Sequence, residues 1–225
     1  MGQCSGSMGR KRIFIVDDHP LMREGLGQLI ARQPTLEVCG EAGTALEALE
    51  KIVSRNPDLV LTDLTLPDKN GLELIKDVKA LLPRMLVLVI SMHDEALYAE
   101  RAMRAGARSY IMKREATDKV LDAIKSVLEG KTYFSNAVNA TMAQKLARGA
   151  TNIPDSPVAD LSDRELEVFD LLGRGCNTRQ ISDQLNLSFK TVQVYCARIK
   201  EKLNLANINE LITHAVRWHE SQHVK

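Results

Sequence analysis

The chain contains few cysteines and few aromatic residues, and its positive and negative charges nearly cancel. Its four cysteines are spread far apart, at Cys4, Cys39, Cys176 and Cys196. Since they form no C-x-x-C pair, they argue against a zinc site or a disulfide framework, and reduced thiols are typical of a cytoplasmic protein. A formal net charge of +1 favours no charged partner, although a local stripe of Lys and Arg can still attract nucleic acid.

Long hydrophobic runs are also missing from the chain. The densest apolar run covers residues 85–90, far short of the ~18 apolar residues that predict a membrane-spanning helix. The first residues carry no hydrophobic segment typical of a signal peptide. We therefore expect no membrane association, and we interpret residues 1–10, rich in glycine and serine, as a flexible leader.

Short apolar runs alternate with helical patterns between residues 11 and 131. The runs predict strands at 12–16, 36–41, 58–63, 85–91 and 109–112, and the patterns between them predict helices at 20–32, 44–55, 71–81, 95–105 and 117–129. Strands that are apolar throughout are typical of a parallel sheet buried on both faces. Five such units predict a doubly wound α/β domain with a five-stranded parallel sheet, of the flavodoxin-like kind.

The sequence changes character after the fifth predicted helix. Residues 132–160 are interpreted as a linker helix, at 136–148, followed by a linker with two prolines. Residues 161–225 are predicted to be entirely helical, beginning with a capping box formed by Ser162 and Glu165. The pattern therefore predicts a second, all-α domain.

Polar residues stand at the ends of three predicted strands. Asp17 and Asp18 follow the first strand, Asp63 ends the third, and Lys113 follows the fifth. In a parallel sheet these ends meet at the edge where open α/β folds bind ligands. Carboxylate oxygens suit Mg²⁺, and a metal with a fixed cation lowers the repulsion that opposes attack of a carboxylate on phosphate. The pattern therefore predicts a Mg²⁺ site in which Asp63 is a nucleophile towards phosphate.

The predicted ligands of Mg²⁺ are Asp17, Asp18, Asp63 and the backbone carbonyl of Thr65. We expect Asp18 and Asp63 to bind the ion directly and Asp17 to bind it through water, while Lys113 pairs with a phosphate oxygen. Taken singly, an Asp after a strand is usually a helix cap or a turn residue, and a lone Lys is usually solvated surface. Their coincidence at the ends of three strands favours the site.

Further residues in this region complete a pattern similar to the receiver domain of bacterial two-component response regulators. The residues that carry the resemblance are Asp17-Asp18, Asp63, Leu66-Pro67, Asn70-Gly71, Ser91 and Lys113. The resemblance implies that Asp63 accepts phosphate from a sensor histidine kinase, that the Ser91 hydroxyl moves towards the phosphoryl group, and that the Tyr110 ring changes rotamer with it. Arg114 stands where receivers commonly have proline.

The helix predicted at 188–203 has the two faces of a DNA-recognition helix. Its buried stripe comprises Val192, Cys196, Ile199 and Leu203. These positions have the spacing of one helix face, and the segment also contains four basic residues against one acidic residue. A short helix and a tight turn precede it, so the pattern indicates a helix-turn-helix.

Residues 161–215 resemble the LuxR-type helix-turn-helix, and the two domains together resemble the NarL/FixJ class of regulators. The candidates for base contacts in double-stranded DNA are Lys190, Gln193 and Val194. The candidates for phosphate contacts are Thr191, Tyr195, Arg198 and Lys202. A glutamine can read adenine and a valine can touch a thymine methyl, whereas phosphate contacts position the protein without specifying sequence.

The last predicted helix, from residue 207, has more apolar side chains than a small helical core requires. The family resemblance implies dimerisation through a helix at this place. The candidates for the interface are Ile208, Ile212 and Trp218, with Trp218 expected at an exposed end. We expect the active protein to be a homodimer.

These observations favour a DNA-binding transcription regulator switched by phosphorylation of Asp63. The alternative is a dimeric DNA-binding regulator that never uses phosphate, although such a protein has no need of the complete acid set. An aspartate-nucleophile phosphatase typically carries a second acid where this chain has Thr65, so we expect no enzyme. A quorum-signal receptor with the same DNA-binding domain needs an aromatic-rich ligand domain, whereas aromatics make up 4% of this chain.

Overall fold

The protein, described by a computed structural model, forms two compact units. The structure describes residues 9–93, 95–115, 117–135, 158 and 160–223. The first unit, Met1–Gly149, is built on a β-sheet, and the second, Ala150–Lys225, is helical. The helix predicted at 136–148 and most of the predicted linker lie outside the described residues. None of the helices in the described part of the chain combines the length and the hydrophobicity of a membrane span.

Five parallel strands form the sheet of the first unit. The strands are β1 (Lys11–Val16), β2 (Leu36–Ala42), β3 (Leu59–Thr62), β4 (Leu86–Ser91) and β5 (Ser109–Met112). Their order is β2-β1-β3-β4-β5, and every neighbouring pair is parallel. The predicted doubly wound α/β fold is therefore confirmed.

Five helices follow the strands in turn. They are α1 (Pro20–Ala31), α2 (Ala45–Arg55), α3 (Gly71–Leu81), α4 (Glu95–Ala105) and α5 (Thr117–Leu128). The side chain of Thr44 caps α2 by accepting a hydrogen bond from the backbone nitrogen of Glu47 at 3.3 Å. Gly106 ends α4 with a φ of 111°, which favours glycine because a Cβ would be strained there.

The core of the first unit lies on both faces of the sheet. On one face, alternate strand residues pack against α1 and α5 in a cluster that includes Ile13, Ile15, Leu59, Leu61, Leu88, Ile90, Ile111, Ile30, Ile124 and Val127. The intervening strand residues Phe14, Val60, Val87 and Val89 are also fully buried. Burial of both faces is the reason why these strands are apolar throughout.

The strand order places a crevice between the ends of β1 and β3. From β1 the chain continues to β2 on one side of the sheet, and from β3 it continues to β4 on the other. Open α/β sheets bind ligands at such a switch point, outside the carboxyl ends of the strands. Asp17 directly follows β1 and Asp63 directly follows β3, so both residues lie at this crevice.

Four helices form the described part of the second unit. They are α6 (Asp163–Gly173), α7 (Thr178–Gln184), α8 (Phe189–Lys202) and α9 (Ile208–His223). The predicted capping box of Ser162 and Glu165 is present at the start of α6. Between α7 and α8, Asn186 adopts a φ of 50°, a left-handed conformation that asparagine tolerates better than most residues.

The expectation that Trp218 marks an exposed helix end is wrong. Trp218 is only 7% exposed, and its ring packs edge-on against Phe169 with the ring centroids 5.3 Å apart. Leu211 and Ala215, on the same face of α9, are fully buried, and α9 packs along α6. The indole continues this stripe because positions 211, 215 and 218 have the spacing of one helix face.

Gly71→Ala is expected to destabilise the first unit by about 1–3 kcal/mol. A Cβ at this position would lie 2.2 Å from the backbone oxygen of Asp63, and backbone cannot move aside as a flexible side chain does. Gly25→Ala in α1 is the matched control, because nothing lies within 4 Å of a Cβ there and alanine is favoured in a helix. Urea denaturation measures both variants, and equal stabilities would contradict the close contact at Gly71.

Candidate functional site

One ammonium group holds two carboxylates at the carboxyl edge of the sheet. Nζ of Lys113 lies 2.7 Å from Oδ2 of Asp17 and 2.7 Å from Oδ2 of Asp63. All three side chains are more than nine-tenths buried. The fold thereby brings together three residues that follow β1, β3 and β5 and are distant in the sequence.

Backbone hydrogen bonds hold these residues in place. The backbone nitrogen of Asp63 donates to the carbonyl of Val16 at 2.9 Å, and that of Lys113 donates to the carbonyl of Ser91 at 2.8 Å. Both bonds extend the sheet ladder by one residue beyond the strands. The backbone nitrogen of Leu64 donates to Oδ1 of Asp63 at 2.6 Å, while Oδ2 faces Lys113. The two carboxylate oxygens of Asp63 therefore have fixed and different partners.

The charges at this edge do not balance. Burial raises the pKa of Asp17, and the hydrogen bond and charge of Lys113 offset only part of that increase. Burial acts to lower the pKa of Lys113, but the carboxylates of Asp63 and Asp17 raise it overall, so the ammonium stays charged. With Asp18 beside them, three carboxylates share one ammonium group. The excess negative charge favours binding of a cation.

The donor atoms at this edge fit a divalent cation. One ligand atom from each of Asp17, Asp18, His19 and Asp63 lies within 4.8 Å of the other three. Carboxylate oxygens are the protein ligands that Mg²⁺ prefers, so the acids fit this ion. His19 is absent from the residues predicted from sequence. The only feature of the sequence that points to His19 is its position directly after the acid pair and before Pro20, the first residue of α1.

A second histidine connects the residues predicted to act as a switch. Ser91 and Tyr110 are fully buried, and the Tyr110 hydroxyl donates a hydrogen bond to the carbonyl of His93 at 2.9 Å. Nε2 of His93 lies 3.0 Å from Oγ1 of Thr65, and its ring lies 4.5 Å from that of Tyr98. Sequence reasoning missed His93, whose only signal is its place two residues after Ser91.

The loop that follows β3 is tied to the helices on both sides of it. The carboxylate of Asp68 accepts hydrogen bonds from the first two backbone nitrogens of α2, at 2.8 and 2.9 Å. These nitrogens have no hydrogen-bond partner within the helix itself. The side chain of Asn70 accepts one from the backbone nitrogen of Leu72 at 2.7 Å and caps α3. Thr65, whose carbonyl is a predicted metal ligand, lies in this anchored loop.

Helix α8 presents the predicted DNA-contacting side chains on one face. Of the predicted stripe, Val192, Cys196 and Ile199 are buried, whereas Leu203, directly after the helix, is half-buried. The exposed residues of the helix include Lys190, Gln193, Val194 and Arg198, and the half-buried ones include Thr191 and Tyr195. The base-contact candidates therefore lie on a solvent-accessible face.

Lys202 is engaged inside the helical unit. Its ammonium donates to Oε2 of Glu165 at 2.7 Å and to the carbonyl of Asp160 at 3.1 Å. Burial acts to raise the pKa of Glu165, but Lys202 and the backbone nitrogen of Ser162 hold it below its ordinary value. Lys202 thus neutralises a carboxylate that is only 3% exposed, whatever else it contacts.

The predicted dimerisation residues divide into two groups. Ile208 and Ile212 are 40% and 38% exposed on α9 and lie outside the core of the unit. Trp218 belongs to that core instead. An apolar strip at the surface of α9 is therefore limited to the first turns of the helix.

Asp17→Asn is expected to stabilise the metal-free protein by about 0.5–2 kcal/mol at neutral pH, since residues that serve a site often cost stability. Burial raises the pKa of Asp17 in the folded state. The stability that the protein has while Asp17 is protonated is therefore lost as pH rises through this pKa. The advantage of the variant should therefore grow from acid towards neutral pH. Urea denaturation in a chelating buffer at several pH values measures it.

Asp58→Asn is the control variant, and its stability relative to the wild type is expected to change with pH in the opposite direction. Burial acts to raise the pKa of Asp58, but the backbone nitrogen of Arg12 and the ammonium of Lys11 lower it overall. A lowered folded-state pKa contributes stability that is lost as pH falls through it, so this variant should be less stable than the wild type near neutral pH and approach it in acid. The same pH trend in both variants would contradict the assignment.

Known proteins resemble the chain over most of its length. It is 37% identical over 196 residues to the DNA-binding transcriptional activator DevR/DosR of Mycobacterium tuberculosis, covering 86% of this chain and 88% of that protein. It is 34% identical over 207 residues to the transcription regulator BvgA of Bordetella pertussis, covering 92% of this chain and 97% of that protein.

Solved structures share the fold. A LuxR-family two-component response regulator from an Aurantimonas species matches with a TM-score of 0.58 at 33% identity, covering 62% of this chain and 99% of that one. The response regulator RcsB of Salmonella typhimurium matches with a TM-score of 0.65 at 21% identity, covering 93% of this chain and 98% of that one. At this lower identity the likeness supports the fold alone.

Two family models match the chain, one within each of its two units. The response regulator receiver domain matches residues 13–125, which include the sheet and the cluster of carboxylates around Lys113. The family of bacterial regulatory proteins of the luxR type matches residues 159–215, which include α6, α7 and α8. The chain therefore belongs to the two-component response regulators, with a receiver domain followed by a LuxR-type helix-turn-helix DNA-binding domain.

Proposed function

We propose that phosphorylation of Asp63 controls the binding of this regulator to DNA. The pairing of Asp63 with Lys113 at the switch point of the sheet carries the proposal. We propose that the receiver covers residues 11–131 and receives the signal. The DNA-binding domain, proposed to cover residues 161–225, is the output, with residues 132–160 between them.

In the proposed reaction, an oxygen of Asp63 attacks the phosphorus atom of a phosphohistidine on a sensor histidine kinase. A bond forms between this oxygen and phosphorus, and the bond from phosphorus to the histidine nitrogen breaks. The nitrogen keeps the bonding electrons, and the ring leaves as neutral imidazole after gaining a proton. Lys113 stabilises the negative charge of the transferred group, because its ammonium already lies 2.7 Å from Asp63 in a buried site.

Receiver domains bind Mg²⁺ at an acidic pocket, and this chain has a cluster of aspartates at that position. We propose that Asp18 and Asp63 bind the ion directly, that Asp17 binds it through water, and that the Thr65 carbonyl is a further ligand. When bound, the ion neutralises negative charge on the carboxylates and on the incoming phosphoryl group. The excess of carboxylates over ammonium groups supports this assignment.

The switch is proposed to start at Ser91 and reach α4 through Tyr110. The Ser91 hydroxyl would move towards the phosphoryl group and carry the following loop with it. The Tyr110 hydroxyl bonds the His93 carbonyl in that loop, so a shift of the loop changes the environment of the buried ring. Phosphorylation then shifts an equilibrium between two receiver states that already exist.

We propose that α8 enters the major groove of double-stranded DNA. Lys190, Gln193 and Val194 would meet base edges from its exposed face. Thr191, Tyr195, Arg198 and Lys202 are proposed to meet phosphates. The relative from Mycobacterium tuberculosis is named a DNA-binding transcriptional activator, which supports this output.

We also propose that the active protein is a homodimer joined through α9. Ile208 and Ile212 are the exposed apolar residues that support this assignment, and a dimer would read two half-sites on DNA. The proposed location is the cytoplasm, where both DNA and a kinase domain are accessible.

The family consists of transcription regulators, and we propose that this receiver has no enzymatic turnover. A phosphatase of the aspartate-nucleophile type needs a proton donor two residues after the nucleophile. Thr65 stands there, and its hydroxyl lies 3.0 Å from the His93 ring. A hydroxyl is a much weaker acid than the carboxylic acid that would serve this step.

Asp63→Asn is expected to prevent phosphorylation, because the neutral oxygen of an amide is a much weaker nucleophile than the oxygen of a carboxylate. Mass spectrometry after incubation with Mg²⁺ and acetyl phosphate should show one added phosphoryl group on the wild type and none on the variant. DNA affinity of the wild type should rise roughly 5- to 150-fold, the range of a coupling of 1–3 kcal/mol, and that of the variant should stay constant.

Asp122→Asn is the control for this experiment, since Asp122 is an exposed acid on α5 and its removal changes the net charge equally. It should behave as the wild type in both measurements. If Asp63→Asn and the wild type bind DNA equally before and after treatment, the phosphorylation-independent dimeric regulator is the correct description.

Lys190→Ala is expected to weaken DNA binding and leave phosphorylation of Asp63 unchanged. If Lys190 neutralises a phosphate while reaching into the groove, the slope of log K against log salt should become less steep by about 0.9. Lys131→Ala is the matched control, because it removes the same charge from an exposed ion pair in the receiver. Unchanged affinity and slope in Lys190→Ala would remove Lys190 from the interface.

A further inference from the structure

His19 stands at the mouth of the proposed Mg²⁺ site and faces its carboxylates. Nδ1 of His19 lies 2.6 Å from Oδ1 of Asp18 and 3.3 Å from Oδ1 of Asp17. The side chain of His19 is 67% exposed, whereas those of Asp18 and Asp17 are 25% and 3% exposed. The ring therefore covers the acids from the solvent side, with a ring nitrogen directed at them.

These distances suit ligands of one metal ion. Two ligands at right angles around an octahedral ion with bonds of about 2.1 Å stand about 3 Å apart. The 2.6 Å between Nδ1 of His19 and Oδ1 of Asp18, a proposed direct ligand, is within about half an ångström of that value. The four ligand atoms lie within 4.8 Å of one another, whereas opposite ligands of such an ion stand about 4.2 Å apart. Shifts of roughly half an ångström would therefore bring the imidazole within reach of an ion bound to Asp18 and Asp63.

The backbone of His19 is held in place before any ion binds. The following residue is Pro20, which restricts the residue before it to an extended conformation, and His19 accordingly has φ −89° and ψ 111°. Its backbone nitrogen donates to Oδ1 of Asp17 at 2.9 Å, and its carbonyl accepts from the backbone nitrogens of Met22 and Arg23. Only the two side-chain torsions of His19 therefore remain to be ordered at the moment of binding.

We propose that His19 is a ligand of the divalent cation at this site and shifts its preference from Mg²⁺ towards transition-metal ions such as Mn²⁺ and Ni²⁺. The inference rests on the proposed metal site of the receiver and extends it by naming one more ligand. Mg²⁺ prefers oxygen ligands alone, whereas imidazole suits the later first-row ions, for which affinity rises from Mn²⁺ to Ni²⁺. A site made of the three carboxylates without His19 would discriminate less between Mg²⁺ and these transition-metal ions.

The test compares ion binding by the full chain without an affinity tag and by His19→Ala. Titration with Mg²⁺, Mn²⁺ and Ni²⁺ should show a loss of about tenfold or more for Ni²⁺ in the variant, a smaller loss for Mn²⁺, and a change of less than about twofold for Mg²⁺. Electron spin-echo modulation of bound Mn²⁺ should contain the ¹⁴N signal of an imidazole in the wild type and lack it in His19→Ala.

His219→Ala is the matched control, because it removes an imidazole that pairs with Asp170 in the helical unit. It should keep the ¹⁴N signal and all three affinities. A ¹⁴N signal that persists in His19→Ala, or is absent from the wild type, would overturn the proposal. So would an equal change in affinity for all three ions, because His19 would then act on the site only by its charge.

The test of His19 as a metal ligand and the test of Asp63 phosphorylation can fail independently of each other. Phosphorylation of Asp63 with Mg²⁺ can be measured in the same His19→Ala protein by mass spectrometry. If labelling remains and the ¹⁴N signal is unaffected by the substitution, the role of His19 fails and the phosphorylation proposal stands. If Asp63→Asn is labelled like the wild type, the proposed function fails whichever ligands hold the ion.

Discussion

The contact of one ammonium group with two buried carboxylates is the interaction on which the receiver site depends. Asp17 and Asp63 are nearly inaccessible to water. Burial, and to a smaller extent the charge of Asp63, raise the pKa of Asp17. Lys113 lies 2.7 Å from both and keeps them close together. It cannot also neutralise Asp18, so the cluster retains negative charge. Lys113 therefore reduces the repulsion between the carboxylates when no metal is bound. The negative charge that remains gives the site an affinity for cations.

The DNA-binding domain uses a similar pairing for a different purpose. Glu165 is buried at the start of α6 and is held by Lys202 from α8, so the pair links the first helix of the domain to the proposed recognition helix. Here one base meets one buried acid, and the side chain of the base stays 39% exposed. This pair joins two helices, whereas the cluster in the receiver retains excess charge that can bind a ligand.

Much of the fold and part of the site can be predicted from the order of residues. Apolar strands with polar residues directly after them predict a parallel sheet with a site at its edge, and the capping box of Ser162 and Glu165 predicts the start of α6. His19 and His93 are missed because a histidine in a loop belongs to no periodic pattern. Trp218 is assigned to the wrong side of α9, since an apolar residue near a helix end fits a core and an interface equally well.

The elements, their order and the type of residue at each strand end can be predicted from the sequence, because these follow from local propensity and from hydrophobic periodicity. The contacts between distant side chains depend on how the elements pack. Lys113 reaches Asp17 because β5 and β1 end at the same edge of a twisted sheet, and Lys202 turns to Glu165 because α8 packs on α6. These contacts join residues 96 and 37 positions apart, and no local pattern in a single sequence encodes a distance of that kind.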